Sequence, residues 1–277
     1  MDALLEIKNL KVTFLNPKEP AEAVMRAVDG VSLDIQKNSF TSIVGESGSG
    51  KTVTALSICR LTSAHDIRGQ IIYKTETQER VDLLKISQDK LLKVRGKVIA
   101  YIFQDPGTSL NPVMRVGEQI VEAAKIHFHW SANEAKLKAL EAIRAVKLKD
   151  PWRITRSFPH ELSGGMKQRV MIAMALIMEP KILIADEPTT ALDAATEFEM
   201  MALLAELKKS KALTILFVTH DLSLAMGHSN KIIVMQKGKV VERMEKNKDG
   251  FLPKEIYTKR LFNAQVIGLK PKSIIEV

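Results

Sequence analysis

The run Gly45-Glu46-Ser47-Gly48-Ser49-Gly50-Lys51-Thr52 constrains this chain more than any other stretch. It fits G-x-x-x-x-G-K-[ST], the pattern of a loop that cradles phosphates. Phe40-Thr41-Ser42-Ile43-Val44 before it reads as a short buried strand, and Thr52 to Leu61 after it, free of Gly and Pro, reads as a helix. A Gly/Ser turn with a chance lysine would require neither flank. Glycines let successive backbone N–H groups turn inward without a Cβ in the way. The helix start behind them adds unpaired donors and a partial positive charge. Lys51 is expected to reach the β- and γ-phosphates, and the Thr52 hydroxyl to ligate Mg²⁺.

With 277 residues, 45% of them hydrophobic, the chain can bury the core of one domain or of a domain plus a subdomain. Its formal charge of +9 comes from 41 Lys and Arg against 32 Asp and Glu. From Lys231 to Val277 there are 11 basic and 5 acidic residues, a surplus of 6. Such a tail suits an anionic membrane surface, nucleic acid or simply solvent. The single cysteine, Cys59, is expected to be a small buried hydrophobe, and it excludes an intrachain disulfide. Acid arrives at Asp2 and Glu6, so no secretory signal is expected. The longest apolar run, Val170 to Met178, falls well short of the ~20 residues of a membrane helix. The expected location is cytoplasmic, with any membrane contact peripheral.

Taken in order, Leu4–Lys8 and Lys11–Phe14 read as two strands, and a polar excursion follows over Asn16–Ala23. Strand pattern resumes at Val24 and at Val31–Ile35. Phe14 suits either stacking on an adenine ring or packing in the core. Residues 66–96 read as a peripheral sheet edge, and Lys97–Phe103 as a strand ended by Gln104-Asp105-Pro106-Gly107. From Met114 to Phe158 the chain turns helical. Ser131 and Glu134 form a capping box there, and Leu137, Leu140, Ile143 and Val146 recur at helical spacing. His127 and His129 lack the further ligands a metal site needs, and a surface or partner contact is expected of them. Leu162-Ser163-Gly164-Gly165-Met166 opens a helix with a second anion-binding start.

Lys181–Glu187 is an apolar strand ending in two carboxylates, which are costly to bury unless they meet a cation or a polarised water. Asp186 is expected to hold Mg²⁺ through water, and Glu187 to orient or deprotonate an attacking water. A helix is expected from about Ala195 to Lys209. Leu213–Val218 is another buried strand, ending in Thr219-His220-Asp221. Ligands of parallel sheets sit at that end, which makes His220 a candidate sensor of the γ-phosphate. Lys231–Met235 and Lys239–Glu242 read as a closing hairpin, followed by a basic extension without strong periodicity.

With the phosphate loop, Gln104, Leu162–Met166, Asp186-Glu187 and His220 in this order, the chain resembles an ATP-binding subunit of an ABC transporter over about residues 4–245. The resemblance implies an α/β fold, a P-loop NTPase core with an antiparallel β subdomain and an inserted helical signature subdomain. It divides the chain into an ATPase domain over 1–245, with its helical part at about 105–165, and a basic extension over 246–277. It implies that Gln104 senses Mg²⁺ and the membrane domain. Ser163, Gly164 and Gly165 would cover the γ-phosphate held by the opposite subunit, and Asp193 would lie in the loop at the dimer interface. Phe14 falls near the family's adenine-stacking aromatic. The stretches 103–112, 158–162 and 185–193 look like the peptide/nickel importer branch. Ile256-Tyr257-Thr258 resembles that branch's Pro-Tyr-Thr with Ile in place of proline. The iron–sulfur cluster of some members is not expected, because no cysteine follows Cys59.

The implied cofactors are ATP and Mg²⁺. The implied partners are two transmembrane permease subunits, a second ATPase subunit (a paralogue or an identical copy) and an extracytoplasmic substrate-binding protein. No nucleic acid is expected. The leading reading is the ATPase subunit of an importer of peptides, or of nickel or another chelated metal. The alternative is a soluble ABC ATPase acting on ribosome or DNA, encouraged only by the basic charge.

Overall fold

The computed structural model describes residues 3–15, 24–125, 127–190 and 192–266. Strands β1 (Ala3–Leu15), β2 (Val24–Gln36) and β3 (Phe40–Val44) lead through the glycine loop into α1 (Lys51–Ile58). Next come β4 (Asp66–Lys74), β5 (Arg80–Asp82), α2 (Gln88–Val94) and β6 (Ile99–Ile102). Helices α3 (Pro106–Ser109), α4 (Val116–Lys125), α5 (Ala132–Ala145), α6 (Pro151–Arg156) and α7 (Gly164–Leu176) follow. The remaining elements are β7 (Ile182–Asp186), α8 (Ala194–Ser210), β8 (Thr214–Thr219), α9 (Leu222–His228), β9 (Lys231–Gln236), β10 (Lys239–Glu245) and α10 (Ile256–Val266). These form two compact units, one of residues up to Ser87 with those from Thr214 onward, the other of Gln88–Leu213.

In the first unit an antiparallel sheet runs β2-β1-β4-β5. The two strands expected near the start are one continuous strand, β1, and the polar excursion at 16–23 lies outside the described residues. A bulge accounts for the apparent break. Leu5 and Ile7 are buried, then Leu10 and Val12, so the buried positions switch from odd to even. A period-2 strand can do that only by inserting one residue. Asn9 is that residue, at φ 49°, and pairing jumps from Lys8↔Gln70 to Lys11↔Arg68. Opposite it, a Cβ on Gly69 would lie 2.6 Å from the Asn9 carbonyl, so the partner strand needs glycine there.

The same unit holds a second set of strands. β3 pairs in parallel with β8 on one side and β9 on the other, and β10 adds to β9 antiparallel. All of β3 and β8 is buried, as expected of parallel strands covered on both faces. α1 ends at Ile58, short of the expected Leu61, because Arg60 turns left-handed at φ 50°. Cys59 is buried at its end.

The extension after the hairpin is more ordered than its aperiodic sequence led us to expect, since residues 256–266 form α10. Tertiary contacts supply what periodicity lacks. Phe251 and Leu261 enter a cluster with Val44, Leu222 and Val234. Burying two such side chains contributes on the order of 3–6 kcal/mol. Glu242 of β10, itself 9% exposed, accepts hydrogen bonds from the backbone N–H groups of Lys254 (2.7 Å) and Glu255 (3.2 Å) just before the helix.

In the second unit, β6 and β7 pair in parallel. The capping box forms as read, with Ser131 N–H donating to Glu134 Oε2 at 2.8 Å and Glu134 N–H to Ser131 Oγ at 3.4 Å. Leu140, Ile143 and Val146 are buried, but Leu137 is 59% exposed. Steps of three residues drift by about 60° each on a 3.6-residue helix. The first member of that run therefore faces away from the last.

A part-buried ion pair ties β9 to β2 in the first unit, Lys231 Nζ to Asp34 Oδ1 at 2.7 Å. Burial opposes ionisation of Asp34, but hydrogen bonds from Lys231 and Gln36 outweigh it and hold the carboxyl below its usual range. A depressed folded pKa contributes stability above the unfolded value, and that contribution is lost as pH falls through the folded one. Asp34→Asn is expected to cost about 1 kcal/mol at neutral pH, after allowance for solvent screening. Urea denaturation should show the gap to wild type narrowing as the pH is taken below that of ordinary carboxylates.

Candidate active site

The glycine loop leaves the C-terminal end of β3 and is jammed against backbone on both sides. A Cβ on Gly45 would lie 2.2 Å from the Met235 carbonyl of β9, and one on Gly50 would lie 2.5 Å from the Ala27 carbonyl of β2. Gly50 also sits at φ 96°. Neither position admits another residue without moving a strand. The turn between β9 and β10 braces the loop, with Gly238 N–H on the Ser49 carbonyl at 3.0 Å and Asp29 N–H on the Gly238 carbonyl at 2.8 Å. No side chain caps α1 at Gly50, so its start faces the loop without a capping side chain. Lys51 is 4% exposed, and its Nζ donates to the carbonyls of Gly45 and Glu46, both at 2.8 Å. The Ser49 hydroxyl is enclosed and has no hydrogen-bond partner among the described residues. An uncapped helix start, an orphaned hydroxyl and a held cation fit a polyphosphate. His220 follows β8, where Val44 pairs with Thr219, and so stands at the same sheet end as the loop. Phe14 is half-buried near the end of β1, opposite Met25 of β2.

The second unit gathers the carboxylates. Asp186, 3% exposed, ends β7 and accepts a hydrogen bond from Tyr101 of β6 at 2.7 Å. Glu187 takes up φ 46°, an unusual conformation for a non-glycine residue. Its Oε2 accepts from Gln104 Nε2 at 3.1 Å and from Thr190 Oγ1 at 3.0 Å. The structure thus brings Gln104 and Glu187 into contact across 83 residues of sequence. Tyr101 and Thr190 escaped the sequence reading. Tyr101 precedes Gln104 on a strand already singled out, and only the pairing of β6 with β7 brings it to Asp186.

Gly165 and Asp193 also converge, on Thr196 of α8, while Ser163 and Gly164 stand at the start of α7. Ser163 caps α7 by accepting from Met166 N–H at 3.4 Å. A Cβ on Gly165 would fall 2.5 Å from Thr196 Cγ2, so glycine lets α7 and α8 approach. Asp193 caps α8, accepting from Thr196 N–H at 3.0 Å and from its hydroxyl at 2.8 Å. These two hydrogen bonds, the backbone one first, hold the Asp193 carboxyl below its usual range. Phe128 and Trp130, between and beside the two histidines, stack at 4.8 Å, with Lys97 over Phe128.

Among the described residues no three or more His, Cys, Asp or Glu side chains assemble into a metal cage. A cation that borrows ligands from substrate phosphates needs no such cage. Nor is any helix among the described residues long and apolar enough to cross a membrane.

Fold and loop together define a P-loop ATPase cassette of the α/β class. The profile of the ABC transporter family matches residues 28–190, and the chain belongs to that family. It is 43% identical over 266 residues to a probable peptide ABC transporter ATP-binding protein of Sinorhizobium fredii, covering 95% of this chain and 77% of that one. Against the dipeptide transport ATP-binding protein DppD of Haemophilus influenzae it is 42% identical, covering 99% of this chain and 81% of that one. Among solved structures, the dimeric bacterial ABC transporter cassette MJ0796 superposes with a TM-score of 0.75 at 30% identity, over 87% of this chain and 98% of that one. The same cassette bound to ADP and phosphate after hydrolysis gives a TM-score of 0.74 at 30% identity, with the same coverage. These findings bear out the α/β ATPase fold.

Lys51→Ala is expected to weaken ATP binding by roughly two orders of magnitude, because the polyphosphate loses its direct cation. Equilibrium binding of a fluorescent ATP analogue measures this. Wild-type affinity in the variant would contradict the assignment of the loop.

Proposed function

We propose that this chain is the ATP-hydrolysing subunit that powers a membrane importer of peptides. The observation that carries the reading is the phosphate loop, with its enclosed Lys51, its orphaned Ser49 hydroxyl and a helix start without a side-chain cap. The relatives' names favour peptides as cargo over nickel, and transport over ribosome or DNA work.

Chemistry assigns the roles. Loop amides and Lys51 hold the phosphates. Thr52 and Asp186 are the residues that would hold Mg²⁺, which when bound neutralises phosphate charge. The Tyr101 hydrogen bond supports Asp186 in that role by fixing its orientation. Glu187 orients or deprotonates the attacking water, and its contacts with Gln104 and Thr190 hold the carboxylate in place until a nucleotide arrives. Gln104 links that carboxylate to the helical segment behind it and senses both Mg²⁺ and the membrane domain. His220 senses the γ-phosphate, and Phe14 stacks on the adenine.

Ser163, Gly164 and Gly165 cover the γ-phosphate on a second ATPase subunit, identical or paralogous, and Asp193 lies at that interface. The meeting of Gly165 and Asp193 at Thr196 supports a joint role, since one displacement moves both. ATP then glues the pair, and loss of the γ-phosphate releases it. The pair works beneath two permease subunits at the cytoplasmic membrane face, supplied by an extracytoplasmic binding protein. Residues 1–245 form the ATPase domain, with 105–165 as its helical part, and 246–277 a basic extension.

Glu187→Gln keeps the shape and hydrogen-bonding capacity of the side chain but loses its basicity. Hydrolysis is expected to fall by about two to four decades while ATP binding survives. Light scattering with Mg·ATP should then find a persistent pair, alone or with the partner ATPase. Normal turnover would remove Glu187 from the catalytic role, and binding without pairing would exclude the shared site.

A further inference from the structure

In the parallel pairing of β6 with β7, Tyr101 stands opposite Ile184, and Asp186 is the next residue of β7 on that face. Strand side chains lean along the strand, but only a long one spans this diagonal. The Tyr101 hydroxyl does so and donates to Asp186 Oδ2 at 2.7 Å. Phe103, two residues on and just past the end of β6, packs its ring on that of Tyr101 with centroids 4.8 Å apart. The neighbouring ring limits where the tyrosine can swing. Asp186 is 3% exposed, so little water is at hand to replace the donor.

This hydrogen bond bears on which cation the carboxylate suits. Ca²⁺ can grip a carboxylate through both oxygens in a loose shell, whereas Mg²⁺ keeps tight octahedral geometry and several of its waters. A cation that took both oxygens of Asp186 would have to share Oδ2 with the Tyr101 proton. A cation that takes one oxygen, directly or through a water, meets no such competition. It also finds the carboxylate already oriented, which is what an outer partner of a metal ligand supplies.

We propose that Tyr101 is a positioning residue that sets metal specificity: by holding Asp186 Oδ2 it confines that carboxylate to one-oxygen contacts, which favours Mg²⁺ over Ca²⁺ as the nucleotide's cation. The proposal rests on the reading of Asp186 as the carboxylate that holds the cation. Tyr101 acts through Asp186 and is assigned no contact with nucleotide or metal.

The test uses the full chain with its partner subunits and a non-hydrolysable fluorescent ATP analogue, with Mg²⁺ or Ca²⁺ titrated into metal-stripped protein. Tyr101→Phe removes one oxygen and keeps the ring. In that variant the half-saturating Mg²⁺ concentration is expected to rise roughly fivefold, the scale of one hydrogen bond. The half-saturating Ca²⁺ concentration is expected to hold or fall, and the affinity for the analogue in EDTA to stay unchanged. In an Asp186→Asn background the same substitution is expected to leave the Mg²⁺-to-Ca²⁺ ratio alone, because the carboxylate it acts through is gone. An unchanged ratio in Tyr101→Phe would overturn the proposal. So would a parallel loss with Mg²⁺, with Ca²⁺ and in EDTA, which would reduce the tyrosine to packing, and so would a changed ratio that persists in the Asp186→Asn background. Wild-type binding that responds to neither metal, or a metal response untouched by Asp186→Asn alone, would instead overturn the reading of Asp186 as the metal-holding carboxylate.

Discussion

The close approach of the glycine loop to backbone on two sides is the constraint on which the nucleotide site depends. Gly45 lies against the Met235 carbonyl and Gly50 against the Ala27 carbonyl, at distances that exclude any Cβ. The loop is thus shaped by β9 and β2 as much as by its own residues. Those strands are in turn joined by the Lys231–Asp34 pair, and the β9–β10 turn donates from Gly238 to the Ser49 carbonyl. An anion site made of backbone amides has no side chains to adjust, so its precision is that of the surrounding strands.

The carboxylate end of the second unit follows a different logic. Asp186 is nearly inaccessible and is oriented by a tyrosine from the adjacent strand, whereas Glu187 is displayed by a left-handed backbone turn and held by two neutral donors. The Gln104 amide and the Thr190 hydroxyl fix the direction in which the Glu187 carboxylate points. One carboxylate is enclosed and the next is only partly buried, in keeping with the different roles proposed for them.

Much of this was legible in the chain. The strand, loop and helix around Gly45–Thr52 were readable because each carries a local signal: an apolar run, glycines at fixed spacing and an uninterrupted helical stretch. The Ser131–Glu134 capping box was equally local. What was misread depended on partners distant in sequence. The break seen in β1 is a bulge that Gly69 accommodates from another strand. The supposedly aperiodic extension contains α10, ordered by Glu242 and by a core it joins only after folding.

By itself the sequence determined the residue types proposed to hold phosphate and the adjacent carboxylates, because that chemistry lies in side-chain identity and short spacing. It also determined the family, because several such motifs recur in one order. Only the tertiary structure decided that Tyr101 orients Asp186, that Gln104 meets Glu187, and that Thr196 joins Asp193 to Gly165. Each of these contacts joins separate elements, and the register and approach of packed elements are set by the fit of whole surfaces, which no local pattern encodes.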